Sequence, residues 1–396
     1  MNKYNFETVK SRYKKGSAKW DEMERVNPNV SKNVIPFSVA DMEIMTAPEI
    51  VNALKEFLDN EILGYASASD SYKEAVCGWL RRRHNWTIED DWICNTHGVV
   101  DAFYTAIKSY TSEGEGVMLM TPVYYPMYRA IDANKRVLVE NKLKPVGNTY
   151  EIDFEDFEAK AKDENTKLLI LCSPHNPCGR VWTKDELIKI GEICLANNVI
   201  VVSDEIHFDF VSPGYCHTVF ATLSKDFEQN CLVLTAPSKT FNIAGLQTSN
   251  IIIPNAMLRE KFIAELKTTS VNPKCNILGY EACKAAYNEC DEWLEQLKAL
   301  IEKNRQTIVD FFAKEFPQIK VYDLQGTYLL WMDFGALGIE CHELEKILHM
   351  EAEVFFDEGY IFGECGEEFE RWNLACPNKY IVEALVRIKK ALNKHI

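Results

Sequence analysis

The sequence predicts an α/β protein that has a mostly parallel sheet and is followed by a smaller α+β unit. Between Gly116 and Pro254, apolar runs of strand length alternate with a helical pattern. Near-continuous apolar strands are typical of parallel sheets, because helices cover both faces of such sheets. From about Asp291 the pattern changes to a long amphipathic helix followed by further strands and helices.

Three helices are predicted before the sheet. The first, "TAPEIVNALKEFLDN", has Thr46 as its expected N-cap and Pro48 in its first turn. The second, "DSYKEAVCGWLRRRHN", is expected to be capped by Asp70 or Ser71. The third, "VVDAFYTAIKSY", follows Gly98.

Five apolar segments are predicted to form strands of the sheet: "GVMLM" (116–120), "KLLILC" (167–172), "VIVVSD" (199–204), "CLVLTA" (231–236) and "SNIIIP" (249–254). The helix "TKDELIKIGEICLANN" separates the second strand from the third. Its Thr183 and Glu186 have the spacing of a capping box.

The C-terminal pattern predicts a second domain. After the long helix "DEWLEQLKALIEKNRQTIVDFFAKEF", "IKVYD" and "TYLLWMDF" are typical of strands, while "CHELEKILHMEA" and "KYIVEALVRIKKAL" are typical of helices. We expect a large domain over residues 50–290. Residues 1–49 and 291–396 are expected to form the small domain.

Composition excludes several functional classes. A formal net charge of −15, from 44 basic and 59 acidic residues, disfavours nucleic acid and anionic membranes as partners. No apolar run approaches the ~20 residues of a membrane helix. The 13 cysteines are scattered through apolar segments and form no Cys-x-x-Cys pair, which predicts reduced thiols in a cytoplasmic protein. The eight histidines show no His-x-x-x-His or Cys/His ligand spacing, so no metal site is predicted.

Three polar motifs directly follow predicted strands. They are "SPHNPCGR" (173–180), "DEIH" (204–207) and "PSKT" (237–240). Parallel strands would bring Asn176, Asp204, His207 and Lys239 to one edge of the sheet, where open α/β sheets bind ligands. A lone lysine between apolar segments is more often a loop residue, so the coincidence of the three motifs is what carries the prediction.

These residue types are the parts of a pyridoxal-phosphate (PLP) site. A partly desolvated lysine amine has a lowered pKa and can form a Schiff base. An aspartate beside a pyridine nitrogen keeps the ring protonated, so the ring can accept electrons. The helix start in "HGVVDA" (97–102) and the Ser238 hydroxyl could bind a phosphate.

The ordered motifs resemble those of PLP enzymes with the aspartate-aminotransferase fold (fold type I). More narrowly, "SPHNPCGRVW", "DEIHFDF" and "SKTFNIAGL" resemble the MalY/PatB-type cystathionine β-lyases of the class I/II aminotransferase superfamily. The resemblance extends from "KKGSAKWDEM" and "PFSVADMEI" to "ERWNLACP", which is nearly the whole chain. It implies a large domain with a mainly parallel seven-stranded sheet and a smaller α+β domain.

The resemblance also implies roles for individual residues. Lys239 would be the Schiff-base and catalytic lysine, and Asp204 would be the partner of the pyridine nitrogen. The implied cofactor-binding set is Val99, Val100, Tyr124, Asn176, Asp204, His207, Ser238, Lys239 and Tyr65. Tyr124 rather than Tyr125 would stack on the ring.

Substrate binding and assembly follow from the same resemblance. Arg371 would bind the substrate α-carboxylate with a bidentate fork, together with Asn176 and Ala40. Tyr65 would reach into the neighbouring subunit's site as a catalytic residue, which implies a homodimer with shared active sites.

Two activities are compatible with these residues. Class I aminotransferases usually carry an arginine at the position of Gln247 and a tyrosine at the position of His207, so this chain favours a carbon–sulfur β-lyase acting on cystathionine or other S-substituted cysteines. Against this, Ser38 stands where the lyases often have a large aromatic residue. An aminotransferase remains the alternative, and a regulatory or binding protein with the PLP fold is a further one.

Overall fold

The computed structural model describes residues 4–269 and 274–396, and its main feature is a seven-stranded sheet. The strands are β1 (Ile93–Thr96), β2 (Gly116–Thr121), β3 (Val137–Lys142), β4 (Lys144–Val146), β5 (Thr149–Glu151), β6 (Thr166–Cys172), β7 (Ile200–Asp204), β8 (Cys231–Thr235), β9 (Ser249–Ile252), β10 (Lys320–Val321), β11 (Leu329–Asp333), β12 (Asp357–Glu358) and β13 (Phe369–Asn373). The seven-stranded sheet has the order β1-β9-β8-β7-β6-β2-β3. Strands β3, β2, β6, β7 and β8 pair in parallel, whereas β9 is antiparallel to both of its neighbours. The predicted mainly parallel seven-stranded sheet is therefore confirmed.

Helices surround this sheet and form most of the remaining structure. They are α1 (Ala18–Val26), α2 (Pro48–Asn60), α3 (Asp70–His84), α4 (Val99–Tyr110), α5 (Pro126–Ala133), α6 (Phe154–Ala161), α7 (Lys184–Ala196), α8 (Lys225–Gln229), α9 (Pro237–Thr240), α10 (Ala256–Thr269), α11 (Ile277–Glu289), α12 (Asp291–Glu315), α13 (Cys341–Lys346) and α14 (Asn378–Leu392). A π-helical turn, Ile347–Ala352, directly continues α13.

The central strands are buried on both faces, as their apolar sequences require. Every residue of β2 and β8 is buried. Alternate side chains of these strands contribute to two separate apolar clusters, one on each side of the sheet. The sheet is consequently a rigid support for whatever follows its strand ends.

The C-terminal residues form a second, antiparallel sheet of order β10-β11-β13-β12. The N-terminal segment joins it, because Phe37 N–H donates to the Phe355 carbonyl at 2.9 Å and Asn373 N–H donates to the Phe37 carbonyl at 3.0 Å. This pairing is consistent with the expected small domain, whose boundaries stay a prediction.

The helix N-caps predicted from the local sequence are only partly confirmed. The predicted capping box is present, with Glu186 N–H donating to Thr183 Oγ1 and Thr183 N–H donating to Glu186 Oε2. The predicted Thr46 cap is wrong, since Ala47 precedes Pro48 without a side-chain cap. Asp70 or Ser71 as the cap of α3 is also wrong, because Ser69 Oγ accepts from Tyr72 N–H.

Within residues 4–269 and 274–396, each helix is too short or too polar to cross a bilayer.

Thr183→Ala should lower the free energy of unfolding by about 1 kcal/mol, because α7 loses its N-cap acceptor. Thr183→Ser keeps the hydroxyl and should stay within a few tenths of a kcal/mol of the parent. Urea-induced unfolding followed by circular dichroism measures the difference, and equal losses for both variants would contradict the role of the cap.

Candidate active site

A cavity of about 210 Å³ lies at the carboxyl-terminal ends of the central strands. Its lining is drawn from strand ends, helix starts and the N-terminal segment: Ala40, His97, Gly98, Val99, Val100, Phe103, Tyr124, Cys172, Asn176, Asp204, Ile206, His207, Ser238, Lys239, Ala244 and Gln247. Parallel strands β6, β7 and β8 end here together, so the motifs that follow them meet at one edge as predicted.

Lys239 lies in α9, the short helix that directly follows β8. Its Nζ donates to the Ala40 carbonyl at 2.8 Å, and it has no carboxylate partner among the described residues. Burial lowers the pKa of this amine to about 8, although the negative charge of Asp41 opposes the shift. A neutral, nucleophilic amine is therefore accessible near neutral pH.

Asp204 is the last residue of β7 and is buried between β6 and β8, opposite Cys172 and Leu234. Its Oδ1 accepts one hydrogen bond, from Ile206 N–H at 3.3 Å. Burial raises the pKa of the carboxyl to about 7, and the Ile206 N–H and the Lys239 charge only partly offset this. A buried carboxylate with so little compensation suits a cationic partner in the cavity.

His207 is also buried, and its Nδ1 has no hydrogen-bond partner within the described part of the chain. Burial, with the positive charges of Lys239 and Arg371, lowers its pKa well below the ordinary value. The ring is thus neutral and presents an unused polar atom beside the cavity.

Asn176 and Arg371 form a buried pair across the two sheets. Arg371, on β13, donates from Nη1 to Asn176 Oδ1 at 2.7 Å and from Nη2 to Asp357 Oδ2. No described residue accepts a hydrogen bond from Asn176 Nδ2 or from Arg371 Nε. Both residues therefore keep donors for a ligand.

The first turn of α4 forms another wall of the cavity. Gly98 precedes the helix with φ of +113°, and Val99 and Val100 follow at its start. The first backbone N–H groups of a helix have no partner within that helix, and together with the helix dipole they favour an anion. Ser238 adds a hydroxyl on the same cavity, so a phosphate fits this end.

Of the paired tyrosines, Tyr124 lines the cavity, whereas Tyr125 packs edge-on against Phe362 at a ring separation of 6.0 Å. Burial raises the pKa of Tyr124 above its ordinary value, which keeps its ring neutral. Tyr124 therefore lies on the cavity wall, and its stacking on a cofactor ring stays a prediction.

Most of the predicted site residues converge on the cavity. Its lining includes Lys239, Asp204, Val99, Val100, Tyr124, Asn176, His207, Ser238 and Ala40. Arg371 lies behind Asn176. Tyr65 does not line the cavity of its own chain; its side chain is 103% exposed. Its expected contribution to a neighbouring subunit stays a prediction.

Sequence reasoning missed a buried acceptor behind Arg371. Asp357, on β12, accepts from Arg371 and also from Val39 N–H at 2.8 Å. Val39 has φ of +57°, a left-handed conformation that is rare for a β-branched residue and that collects at functional sites. The pairing of β12 with β13 creates this contact, so only the charged sequence "FFDEG" could have hinted at it.

Comparison with known proteins identifies the class. The model of the aminotransferase class I and II family matches residues 32–388. The crystal structure of cystalysin from Treponema denticola, which contains a pyridoxal 5'-phosphate cofactor, superposes with a TM-score of 0.97 and 46% identity over 99% of both chains. The chain belongs to the aminotransferase class I and II family.

Two curated relatives narrow this class. The cystathionine beta-lyase PatB of Bacillus subtilis (strain 168) is 40% identical over 389 residues, which are 98% of this chain and 100% of PatB. The protein MalY of Escherichia coli (strain K12) is 30% identical over 391 residues, which are 98% of this chain and 99% of MalY. The predicted resemblance to the MalY/PatB group and the predicted fold are therefore confirmed.

The cavity fits the cofactor of this family. An amine with a pKa of about 8, a buried carboxyl, an unpartnered imidazole nitrogen and a helix start line it together. These groups match the aldehyde, pyridine nitrogen, hydroxyl and phosphate of PLP in chemical character. The use of PLP predicted from the sequence thus agrees with both the family and the site.

Covalent attachment of PLP to cofactor-free protein should accelerate about tenfold between pH 7 and pH 9 and then level off. The reason is that an amine with a pKa of about 8 is about one tenth neutral at pH 7 and mostly neutral at pH 9. Borohydride trapping followed by mass spectrometry of the Lys239 peptide measures the rate. A rate that keeps rising to pH 10.5 would instead indicate an ordinary lysine.

Proposed function

We propose that the chain is a PLP-dependent carbon–sulfur β-lyase that cleaves cystathionine and other S-substituted cysteines to pyruvate, ammonia and a thiol. The observation that carries the proposal is the convergence of Lys239, Asp204 and the Asn176–Arg371 pair on one cavity in a chain of the MalY/PatB group. PatB itself is described as a cystathionine beta-lyase.

The proposed cofactor contacts follow from the lining of the cavity. Asp204 would hold the protonated ring nitrogen, Asn176 and His207 would hydrogen-bond the ring hydroxyl, and Tyr124 would pack against the ring. Val99, Val100 and Ser238 would hold the phosphate. When bound, PLP supplies an electron sink that stabilises negative charge on the substrate Cα.

Lys239 acts both as the residue that holds the cofactor and as the general base. Its amine, with a pKa of about 8, would act as the general base that removes the Cα proton of the substrate. The Ala40 carbonyl, 2.8 Å from Nζ, is an acceptor that can hold the freed amine in place. Lys239 or Tyr65 then delivers a proton to the departing sulfur.

Arg371 binds the substrate α-carboxylate with its remaining N–H donors. Asn176 and Asp357 fix the guanidinium plane from two sides, so its direction is set before the substrate arrives. The free Nε, buried and without a described partner, is the natural donor for one carboxylate oxygen.

Two neutral cavity residues favour elimination over transamination. Gln247 and His207 line the cavity at the positions where aminotransferases usually carry an arginine and a tyrosine. The class I and II family also contains aminotransferases, so an aminotransferase is the second candidate function. A purely regulatory role is less well supported, because the residues for catalysis are all present.

We also assign the enzyme to the cytoplasm. All 13 cysteines are free, and nine of them are buried in the fold. Thiols that are retained in this number without disulfides are typical of a reducing compartment.

A second copy of the chain completes the proposed site. The last turn of α2 and the segment that follows it expose Leu58, Ile62, Leu63 and Tyr65. Large apolar side chains exposed together mark an interaction surface. A homodimer that covers this segment would bring Tyr65 of one subunit to the cavity of the other.

Purified enzyme with PLP and cystathionine should release pyruvate and a thiol at the same rate with and without 2-oxoglutarate, because elimination needs no amino-group acceptor. Lactate-dehydrogenase-coupled detection of pyruvate and a thiol reagent measure both products. Strict dependence on 2-oxoglutarate would instead establish an aminotransferase. As the matched control, Lys239→Ala should lose activity by several orders of magnitude and bind PLP only non-covalently.

Mixing two inactive variants tests the shared site. Lys239→Ala and Tyr65→Ala chains, unfolded and refolded together, should recover about a quarter of the parent activity, since half of the dimers are mixed and each has one intact site. Each variant refolded alone is the control. If Tyr65 acted within its own subunit, or not at all, the mixture would show no gain over the two controls.

A further inference from the structure

A cluster of two carboxylates and one histidine lies behind the Arg371 strand, outside the catalytic cavity. Glu345 on α13 and His349 on the π-helical turn are four residues apart, and Glu358 lies on β12. One ligand atom from each of these residues lies within 4.8 Å of the other two. His349 Nε2 is 3.1 Å from Glu358 Oε1, and its Nδ1 is 3.8 Å from Glu345 Oε1.

Glu370, on β13, lies next to this cluster. It is the direct cross-strand partner of Glu358, so the two side chains lie on the same face of the antiparallel pair. Glu370 is only 3% exposed, and its carboxylate has no hydrogen bond or ion pair to a described residue. Burial, together with the negative charges of Glu358, Glu345 and Asp357, raises its pKa well above the ordinary value.

The surroundings supply little positive charge. Within the described residues, no lysine or arginine pairs with Glu345, Glu358 or Glu370. Tyr360 donates to Glu345 Oε2 at 3.2 Å, and the exposed His342 lies 3.4 Å from the same oxygen. A bound cation would offset the negative charges of Glu358 and Glu345 and would allow the buried Glu370 carboxyl to ionise beside them.

We propose that Glu345, His349 and Glu358 bind one divalent transition-metal ion of the Mn²⁺ type, and that the neighbouring Glu370 carboxylate moves in as a fourth ligand when the ion binds. A set of three carboxylates and one imidazole is a mixed oxygen and nitrogen donor set, which suits such ions better than Ca²⁺. The proposed ligand residues lie on α13 and its π-helical continuation, on β12 and on β13, so an ion here links separate elements of the fold. None of the residues that line the catalytic cavity belongs to this cluster.

The position of this cluster means that a bound ion would also stabilise the β12–β13 strand pair. Neighbouring residues of a strand face opposite sides, so Glu358 and Glu370 face the cluster while Asp357 and Arg371 face the catalytic side. An ion bound by the cluster ties β12 to β13 and to α13. It therefore braces the strand pair that positions the Arg371–Asp357 contact.

The test is a Mn²⁺ titration of the holoenzyme after chelator treatment and desalting, read by electron paramagnetic resonance of the free ion. The parent should bind one Mn²⁺ per chain saturably. Glu370→Gln and His349→Asn should each weaken binding by about tenfold or more, in the range seen when metal-site residues are removed. Glu343→Gln, which removes an exposed carboxylate on the same helix, is the matched control and should bind as the parent does.

Two outcomes overturn the proposal: no saturable site in the parent, or equal affinity of the parent and Glu370→Gln. A thermal measurement guards against misfolded variants, because Mn²⁺ should raise the melting temperature of the parent but not that of Glu370→Gln. Without metal, Glu370→Gln should melt no lower than the parent, since it removes an unpaired buried carboxyl group. None of these measurements uses lyase activity, so the metal-site proposal is tested independently of the proposed function.

Discussion

Lys239 and Asp204 line one cavity at the ends of neighbouring strands, and they form no ion pair with each other. Burial moves the pKa of the amine down to about 8 and the pKa of the carboxyl up to about 7. Both shifts favour the neutral forms, and both arise because β7 and β8 are packed on each face and admit little water. The amine and the carboxyl are both desolvated, and they are not paired with each other. They can therefore bind a ligand that carries an electrophilic group for the amine and a cationic group for the carboxyl.

The antiparallel unit completes this cavity through hydrogen bonds to the N-terminal segment. Residues 38–42 cross the site, where the Ala40 carbonyl accepts from Lys239 Nζ and from the Tyr328 hydroxyl at 2.9 Å. Asn373 Nδ2 donates to the carbonyls of Val39 and Asp41, and Asp357 accepts from Val39 N–H. The strained conformation of Val39 is therefore held from both sides, and the same two strands hold Arg371.

Adjacent residues of the β12–β13 pair face two different environments. Its catalytic face carries a matched charge pair, Arg371 with Asp357, whereas its other face carries Glu358 opposite Glu370. The period of two residues along a strand makes this division unavoidable once the register is set. A shift of one residue would exchange the two faces and remove the arginine from the site.

The sequence alone determined five of the seven strands of the large sheet and most of the catalytic cavity. Apolar runs followed by "SPHNPCGR", "DEIH" and "PSKT" specify strand ends, and parallel ends must lie at one edge, so Asn176, Asp204 and Lys239 were predictable. Local pattern failed where alternatives differ by a single residue, as with the N-cap of α3, which is Ser69. It also gave no indication that β9 runs antiparallel, because an apolar run carries no direction.

Only the tertiary structure decided the contacts that depend on register between distant segments. The Asp357–Arg371 pair and the Glu345, His349 and Glu358 cluster beside Glu370 exist because β12 pairs with β13 in one register and α13 packs nearby. Histidine and cysteine spacings along the chain do not indicate the cluster, since its residues come from three parts of the fold and only Glu345 and His349 share a helical face. Spacing along the chain reports neighbours on one element, whereas neighbours across elements are fixed by packing.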